Sequence, residues 1–313
     1  MKTKIIIAGI GGVGGYFGGL LAKTFSESND VEIYFLARGE HLKQIQTNGL
    51  KVVKGDTQFI AKPKLATDNA NEIGIADYII LCTKSYDLEK TIQQLKPCIA
   101  DGTCILLLLN GVDSAEKIKN ILPNTIIFNG SVYIVSLLKE AGVVENIGNI
   151  QKLFFGIDNT SSDKLILLEN IFKQATIEAT LTKNIAANVW EKFHLVAANS
   201  TATSYFKNTT GEILADKIKS EFLLSLLKEV NQIALTKGVL FDKEMIAVTM
   251  EKLRSFPFES TSSMQRDFQK PNSRTELETI TGFVVHEGMQ LNIPTPTFKI
   301  AYDELRTRQQ TSF

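Results

Sequence analysis

Three glycines near the start of the chain, Gly9, Gly11 and Gly14, have the spacing of a loop that binds dinucleotides. An apolar run at residues 4–8 predicts a buried strand before them, and a helical pattern at residues 16–25 follows. The first glycine permits a tight turn, the second lets the backbone approach a pyrophosphate, and the third allows close packing of helix and strand. The helix N-terminus would offer N–H groups and its positive dipole end to the phosphates. The residues predicted to bind the cofactor in this loop are Gly9, Gly11, Gly12, Val13 and Gly14.

A signal peptide or a short membrane span is the competing interpretation of this segment. Residues 5–22 carry no charge, and Lys2 and Lys4 precede them. Seven glycines within the segment would weaken a spanning helix, and no small-residue cleavage site follows it. The dinucleotide interpretation is therefore favoured.

The end of the second predicted strand, residues 31–37, bears on the choice between NAD and NADP. NAD-binding units carry an acidic residue about 20 residues beyond the glycine loop, where it binds the ribose 2′-hydroxyl. Here Arg38 follows the strand, and a guanidinium binds a 2′-phosphate through paired, charge-assisted hydrogen bonds. NADP is therefore favoured, although a solvated Arg38 and the nearby Glu40 leave NAD open.

Polar side chains follow the next two buried strands, predicted at residues 78–83 and 105–109. Lys84 follows the first of them and Asn110 the second. Ligands of doubly wound sheets lie beyond the carboxyl ends of the strands, so Lys84 is predicted to contact the cofactor and Asn110 to border the nicotinamide. The alternatives are a solvated lysine at a helix start and an ordinary Asn-Gly turn.

In the second half of the chain, Lys192 lies beside Trp190 and Phe193 in an otherwise apolar helical pattern. Bulky apolar neighbours desolvate an ammonium and lower its pKa, which makes this lysine a candidate general acid. The alternative is a side chain that extends from the helix into solvent. Glu276 begins a later predicted helix, where an acid in the first turn is commonplace.

Composition is that of a soluble, cytoplasmic enzyme. Lys plus Arg and Asp plus Glu each number 34 in 313 residues, so no net charge attracts nucleic acid or an anionic membrane. The cysteines, Cys82, Cys98 and Cys104, are most simply reduced thiols, and two of them lie in apolar strand patterns. The three histidines are scattered without metal-ligand spacing, so no metal site is predicted.

The pattern along the chain predicts two domains. Strands alternate with helices over residues 1–182, which predicts a Rossmann-type doubly wound parallel sheet. Residues 183–313 carry long helical patterns, which predict an all-α C-terminal domain. The fold class is therefore α/β followed by all-α. An apolar stretch at residues 222–227 fits either core or the surface of a homodimer.

These features together resemble the ketopantoate reductases (2-dehydropantoate 2-reductases) over essentially the whole chain. Each landmark is weak alone, whereas the ordered set is specific for the superfamily. The landmarks after the glycine loop are Arg38, Thr83-Lys84, Asn110-Gly111, Trp190 to Lys192, Ser262 to Met264, Thr275-Glu276, Gly282 and Asn292 to Pro296.

The resemblance implies a reaction in which NADPH reduces the ketone of ketopantoate to give pantoate for the coenzyme A pathway. Lys192 would bind the ketone oxygen and donate the proton, and Glu276 would orient both the substrate and Lys192. Asn110 would contact nicotinamide and substrate, and Ser263 would help to hold the substrate carboxylate. The partner is then a small 2-oxo acid, with no nucleic acid and no membrane.

The chain departs from the family pattern on the helix that carries Lys192. Members acting on ketopantoate usually have asparagines four and eight residues after the catalytic lysine, on the same helix face. Val196 and Ser200 occupy these positions, and Asn199 points about 100° away from the second one. Ser200 is the expected substrate contact there. A reductase of another branched 2-oxo acid stays open, as does a non-catalytic NADP-binding sensor, although a sensor has no need of both Lys192 and Glu276.

Overall fold

The computed structural model describes residues 2–271 and 273–311. The chain divides into two compact units. The first contains the residues up to Leu109 together with Asp113–Ile185, and the second contains Asn110–Val112 together with the residues from Ala186 onward. The sequence did not predict that the three residues after Leu109 belong to the second unit.

The first unit is built on a sheet flanked by helices. Its strands are β1 (Thr3–Ala8), β2 (Val31–Leu36), β3 (Leu50–Lys54), β4 (Thr57–Ala61), β5 (Leu65–Thr67), β6 (Tyr78–Leu81), β7 (Cys104–Leu107), β8 (Ile126–Glu140), β9 (Val143–Gly156) and β10 (Ala179–Leu181). Its helices are α1 (Gly12–Thr24), α2 (Gly39–Asn48), α3 (Leu88–Leu95), α4 (Ser114–Ile121) and α5 (Asp163–Gln174).

The sheet has the strand order β4-β3-β9-β8-β7-β6-β1-β2-β5, and β10 pairs with β9. The run from β8 to β5 is parallel throughout, which confirms the predicted doubly wound sheet. The antiparallel pairs β8–β9 and β3–β4 make the whole sheet mixed. Alternate residues of β1 enter two different apolar cores, Ile5 and Ile7 on one face and Ile6 and Ala8 on the other. Both faces are therefore covered, as expected for a parallel sheet.

The long hairpin formed by β8 and β9 was predicted only in fragments. Its outer half carries exposed apolar side chains, including Val135, Leu138 and Ile147. The pairing register of β8 with β9 shifts twice along the hairpin, between Ile134 and Ser136 and again between Leu138 and Glu140. A strand whose apolar residues are not all directed to one face lacks the alternation on which sequence prediction depends.

The second unit is helical in its described part, as predicted. Its helices are α6 (Ile185–Phe206), α7 (Thr210–Ala215), α8 (Lys217–Thr236), α9 (Met245–Arg254), α10 (Ser263–Phe268), α11 (Phe283–Leu291) and α12 (Pro296–Thr311). They enclose one apolar core, to which α8 contributes Leu223, Leu226 and Leu227. The apolar stretch at 222–227 is therefore mainly core, and a homodimer gains no support from it.

The helix predicted from Ser273 begins later than expected. Thr275 Oγ1 accepts a hydrogen bond from the Leu277 N–H over 3.3 Å, and a π-helical turn spans Glu278–Gly282 before α11 starts. Glu276 therefore lies two residues before a π-turn, a local widening of the helix that is frequent at functional sites. Within residues 2–271 and 273–311, no helix combines the length and apolar character needed to cross a bilayer.

Candidate active site

The glycine loop connects β1 to α1, and the helix begins at Gly12, four residues earlier than predicted. Gly11 occupies the N-cap position, no side chain caps this end, and no acidic residue lies in the first turn. The first-turn N–H groups of a helix have no acceptor within the helix. This end of α1 can therefore receive the oxygens of an anionic group.

Three positions of the loop require glycine, one because of its backbone conformation and two because of close packing. Gly9 has a positive φ of 92°. A Cβ on Gly14 would lie 2.1 Å from the carbonyl oxygen of Gly9, which only glycine avoids. A Cβ on Gly12 would lie 2.2 Å from the carbonyl oxygen of Ser136 in β8. Val13 packs partly buried against the core of this unit.

Gly11 differs from these glycines, because a Cβ there would have no heavy atom within 4 Å. Its φ of −87° is also accessible to any residue. The protein's own packing thus does not explain a glycine at this position. Open space beside a helix N-terminus is what the close approach of a pyrophosphate requires, so the loop fits a dinucleotide.

Arg38 follows β2 and immediately precedes α2. Its side chain is 74% exposed, and Nη2 donates to Oδ2 of Asp87 over 2.8 Å. Glu40 lies on α2, where its carboxylate accepts from Gln44 Nε2 over 3.1 Å and contacts Lys43 Nζ at 3.6 Å. Glu40 is therefore engaged along its own helix. Asp87 was not predicted as a site residue, because nothing in sequence spacing links it to Arg38.

Lys84 lies beyond the carboxyl end of β6, as predicted, and precedes the 3-10 turn Ser85–Asp87. Its side chain is partly buried. Because β6 is the neighbour of β1 in the sheet, Lys84 and the glycine loop lie at the same edge. A contact between Lys84 and a cofactor stays a prediction.

Three predicted site residues meet in the second unit. Lys192 Nζ donates to Oδ1 of Asn110 over 2.9 Å, and Nδ2 of the same amide donates to Oε2 of Glu276 over 3.2 Å. Glu276 is only 3% exposed, whereas Lys192 and Asn110 are partly buried. The amide thus orders an ammonium on one side and a carboxylate on the other. Their separation in sequence, 82 residues from Asn110 to Lys192 and 166 to Glu276, explains why no local pattern predicts the contact.

The environment of Lys192 is suited to proton transfer near neutral pH. Burial lowers the pKa of Lys192 to about 8, and the Glu276 carboxylate opposes this shift. Trp190, Phe193 and Phe283 form an aromatic cluster, with ring centroids 5.4–6.2 Å apart, and anchor this part of α6 in the core. A general acid is most effective when its pKa lies near the working pH.

The face of α6 beyond Lys192 is apolar and then weakly polar. Val196 is partly buried and packs against the core of the second unit, and Ser200 is buried with 4% exposure. Asn199 is turned away, and its Oδ1 accepts from Thr210 Oγ1 on α7 over 3.1 Å. Asn199 therefore supports the position of α7, and Val196 and Ser200 are the side chains that follow Lys192 along its face.

Ser263 is the first residue of α10 and is partly buried. Its neighbour Ser262 caps this helix by accepting from the Gln265 N–H over 3.0 Å, and Ser262 Oγ lies 2.8 Å from Thr203 Oγ1 of α6. This link ties the segment that carries Ser263 to the helix that carries Lys192. A serine followed three residues later by glutamine is a helix-start signal that could have revealed α10 from the sequence.

Known proteins of one family are similar to this chain along almost its whole length. The model of the ketopantoate reductase PanE/ApbA family matches residues 5–159, and the C-terminal model of that family matches residues 184–309. A solved 2-dehydropantoate 2-reductase from Porphyromonas gingivalis W83 is 33% identical, with 97% of this chain and 99% of that one covered and a TM-score of 0.86. The uncharacterized oxidoreductase YkpB of Bacillus subtilis is 28% identical over 97% of this chain and 98% of its own length. A 2-dehydropantoate 2-reductase of Pyrococcus horikoshii is 29% identical over 94% and 93%.

Proposed function

The chain belongs to the ketopantoate reductase family of oxidoreductases, and on that premise we propose that it reduces 2-dehydropantoate to pantoate with NADPH, a step of pantothenate and coenzyme A biosynthesis. The observation that carries the proposal is the hydrogen-bonded series Lys192, Asn110, Glu276. It contains an acid, an orienting amide and a carboxylate, which are the groups needed to protonate a ketone as it is reduced.

The cofactor part of the proposal rests on the glycine loop and on Arg38. Backbone N–H groups at the start of α1 would hold the pyrophosphate beside Gly11, and the Arg38 guanidinium would bind the 2′-phosphate. Lys84 would contact the cofactor from the neighbouring strand end. When bound, NADPH supplies the hydride equivalent, and the other tasks fall to side chains of this chain.

Lys192 would bind the ketone oxygen through Nζ and donate a proton to it as negative charge develops there. A positioned ammonium is most valuable in the transition state, because the charge that it stabilises is larger there than in the substrate. Asn110 would hold Nζ in place and border the nicotinamide. Glu276 would keep Lys192 protonated and accept a hydrogen bond from the substrate, while Ser263 would help to hold the substrate carboxylate.

The substrate is the part of the proposal with a specific rival. Val196 and Ser200 offer an apolar and a small polar surface beyond Lys192, which suits a branched 2-oxo acid without the hydroxyl of ketopantoate. The YkpB relative, whose name states no substrate, is compatible with either compound. We therefore retain a reductase of another branched 2-oxo acid as the second candidate.

The test is an assay of NADPH oxidation with ketopantoate, 3-methyl-2-oxobutanoate, pyruvate and phenylglyoxylate. We expect ketopantoate or 3-methyl-2-oxobutanoate to be reduced most efficiently. Lys192→Ala should lower turnover by about a hundredfold or more, the scale of a positioned acid, with little change in NADPH affinity. Lys228→Ala, an exposed lysine of α8, is the matched control. An unchanged rate in Lys192→Ala would remove this residue from the mechanism.

A non-catalytic sensor is the remaining alternative. Tight binding of NADPH without turnover of any 2-oxo acid would favour it over a reductase. Cytoplasmic location belongs to the proposal as well. The structure has Cys82, Cys98 and Cys104 as free thiols, which suits a reducing compartment.

A further inference from the structure

The ion pair between Arg38 and Asp87 crosses the carboxyl end of β1. Arg38 follows β2, and Asp87 ends the 3-10 turn after β6. Strands β2 and β6 pair with β1 on its two opposite sides, and all three are parallel. The 2.8 Å contact between Nη2 and Oδ2 therefore joins the two flanking strand ends over the strand that leads into the glycine loop.

The two partners of this ion pair differ in burial. The Arg38 side chain is 74% exposed, whereas that of Asp87 is 15% exposed. The Asp87 carboxylate is thus mostly buried, whereas the Arg38 guanidinium is largely exposed to solvent. A guanidinium has five N–H donors in a planar fork, so a contact through Nη2 still allows a second anion to approach.

We infer that Asp87 determines cofactor specificity, by weakening the preference of this chain for NADPH so that NADH also binds. The inference rests on the proposed function, because it takes Arg38 as the group that meets the 2′-phosphate. A phosphate bound to that guanidinium lies within a few ångströms of the Asp87 carboxylate, and like charges at such distances repel. The ribose 2′-hydroxyl of NADH would instead be attracted to Asp87, because a hydroxyl can donate a hydrogen bond to a carboxylate.

This arrangement gives one site two kinds of recognition. Arg38 supplies donors for a phosphate, and Asp87 supplies an acceptor for a hydroxyl, the role that an acidic residue plays in NAD-binding units. In those units the acid follows the second strand, whereas here the strand end provides the cation and the turn after β6 provides the acid. Glu40 does not share the task, because its carboxylate is engaged by Lys43 and Gln44 on α2.

The experiment is isothermal titration calorimetry of the full-length protein with NADPH and, separately, with NADH. Asp87→Asn should tighten NADPH by about two- to fivefold, the scale of an exposed ion pair, and should weaken NADH. Asparagine is also a good N-cap residue, so the start of α3 should be preserved. Glu40→Gln is the matched control, because it removes one negative charge close to Arg38 in sequence. This variant should change neither the dissociation constant of NADPH nor that of NADH.

The outcomes separate this inference from the cofactor proposal. If Arg38→Ala weakens NADPH far more than NADH while Asp87→Asn leaves NADPH unchanged or weaker, the role of Asp87 is refuted and the 2′-phosphate contact stands. Equal losses of both cofactors in Arg38→Ala would refute the 2′-phosphate contact and the role of Asp87 together. Asp87→Ser, which also keeps a capping residue without the charge, replaces Asp87→Asn if thermal melting shows that the asparagine variant does not fold.

Discussion

Lys192 and Glu276 are held to one another through a single amide, because Asn110 accepts from the lysine over 2.9 Å and donates to the carboxylate over 3.2 Å. An amide can serve both partners at once, since it carries an acceptor and a donor on one rigid plane. The ammonium therefore remains near a compensating negative charge.

The pH dependence of turnover should follow the protonation of Lys192. Burial lowers the pKa of Lys192 to about 8 and Glu276 raises it, so the rate should fall as the pH rises through about 8. Glu276→Gln removes the charge that raises this pKa, and the alkaline limb of kcat/KM should move to lower pH. Glu191→Gln, a partly exposed acid next to Lys192, should leave the limb in place. A limb that does not move in Glu276→Gln would contradict this electrostatic coupling.

The glycine loop offers a comparison between two alanine variants. Gly14→Ala places a Cβ against the Gly9 carbonyl and should destabilise the fold by about 1–3 kcal/mol or more, as overpacking does. Gly11→Ala places its Cβ in open space, so thermal melting should match that of the parent protein. NADPH affinity of Gly11→Ala should nevertheless fall about tenfold, a loss of about 1.4 kcal/mol. Unaltered NADPH affinity in Gly11→Ala would argue against a pyrophosphate beside this residue.

Stability should depend on pH through His194, which is fully buried in α6. Its Nδ1 lies 2.8 Å from Thr249 Oγ1 and its Nε2 lies 3.1 Å from the Leu227 carbonyl oxygen. Because a carbonyl only accepts, Nε2 must carry the proton, and the neutral ring then accepts at Nδ1. Burial lowers the pKa of His194 from 6.5 to about 4.

The unfolded chain therefore takes up this proton as the pH falls through 6.5, whereas the folded chain takes it up only near 4. The stabilisation is complete above pH 6.5 and is lost progressively below it, with an upper bound of about 3 kcal/mol. Urea unfolding of His194→Gln should show a smaller decline between pH 7 and 4.5 than the parent protein. The exposed His286 supplies the control, since His286→Gln should keep the parental slope. Parallel slopes in all three proteins would exclude His194 as the cause.

The hydroxyls of Thr201 and Thr281 form a buried pair 2.8 Å apart, which joins α6 to the π-turn after Glu276. Replacing one of them by valine leaves the other hydroxyl buried and unpaired, at a cost of about 1–3 kcal/mol. The double valine variant should lose less than the sum of the two single losses. Chemical denaturation of the four proteins measures this coupling, and strictly additive losses would show that the pair contributes nothing as a unit.

Substrate choice should respond to Val196. Val196→Asn adds a donor and an acceptor one turn beyond Lys192, so kcat/KM for ketopantoate relative to 3-methyl-2-oxobutanoate should rise about fivefold, the value of one net hydrogen bond. Val196→Leu keeps the surface apolar and should not raise this ratio. An unchanged ratio in Val196→Asn would place the substrate hydroxyl elsewhere.

Prediction from sequence succeeded where local pattern and chemistry coincide. The parallel strands are continuous apolar runs between glycine and polar residues, and α6 begins and ends at Ile185 and Phe206 as its period predicts. The start of α1 at Gly12 was missed because four glycines in its first turns carry no periodic signal. The β8–β9 hairpin was predicted only in fragments, and its outer half was missed because exposed apolar residues interrupt the alternation.

The candidate site was predictable only as separate residues. Asn110 and Glu276 were selected by residue type and by position at the end or start of a predicted element, and Lys192 by its bulky apolar neighbours in a helical pattern. The contacts among the three depend on tertiary packing. Asp87 illustrates the limit, because its contact with Arg38 follows only when the ends of β2 and β6 are placed on the two sides of β1. A contact between side chains 49 residues apart leaves no trace in local spacing.

The short segment Asn110–Val112 is grouped with the helical unit although β7 precedes it and α4 follows it in the sheet unit. If the gene were split after residue 185, Asn110 would consequently lie on the first polypeptide and Lys192 on the second. Neither product alone would inherit the full set of polar groups, and catalysis would return only upon reassembly of the two. Chimaeras that join the first 185 residues of one homologue to the remainder of another would have the same problem. The boundary between the two units crosses the chain at three positions rather than at one.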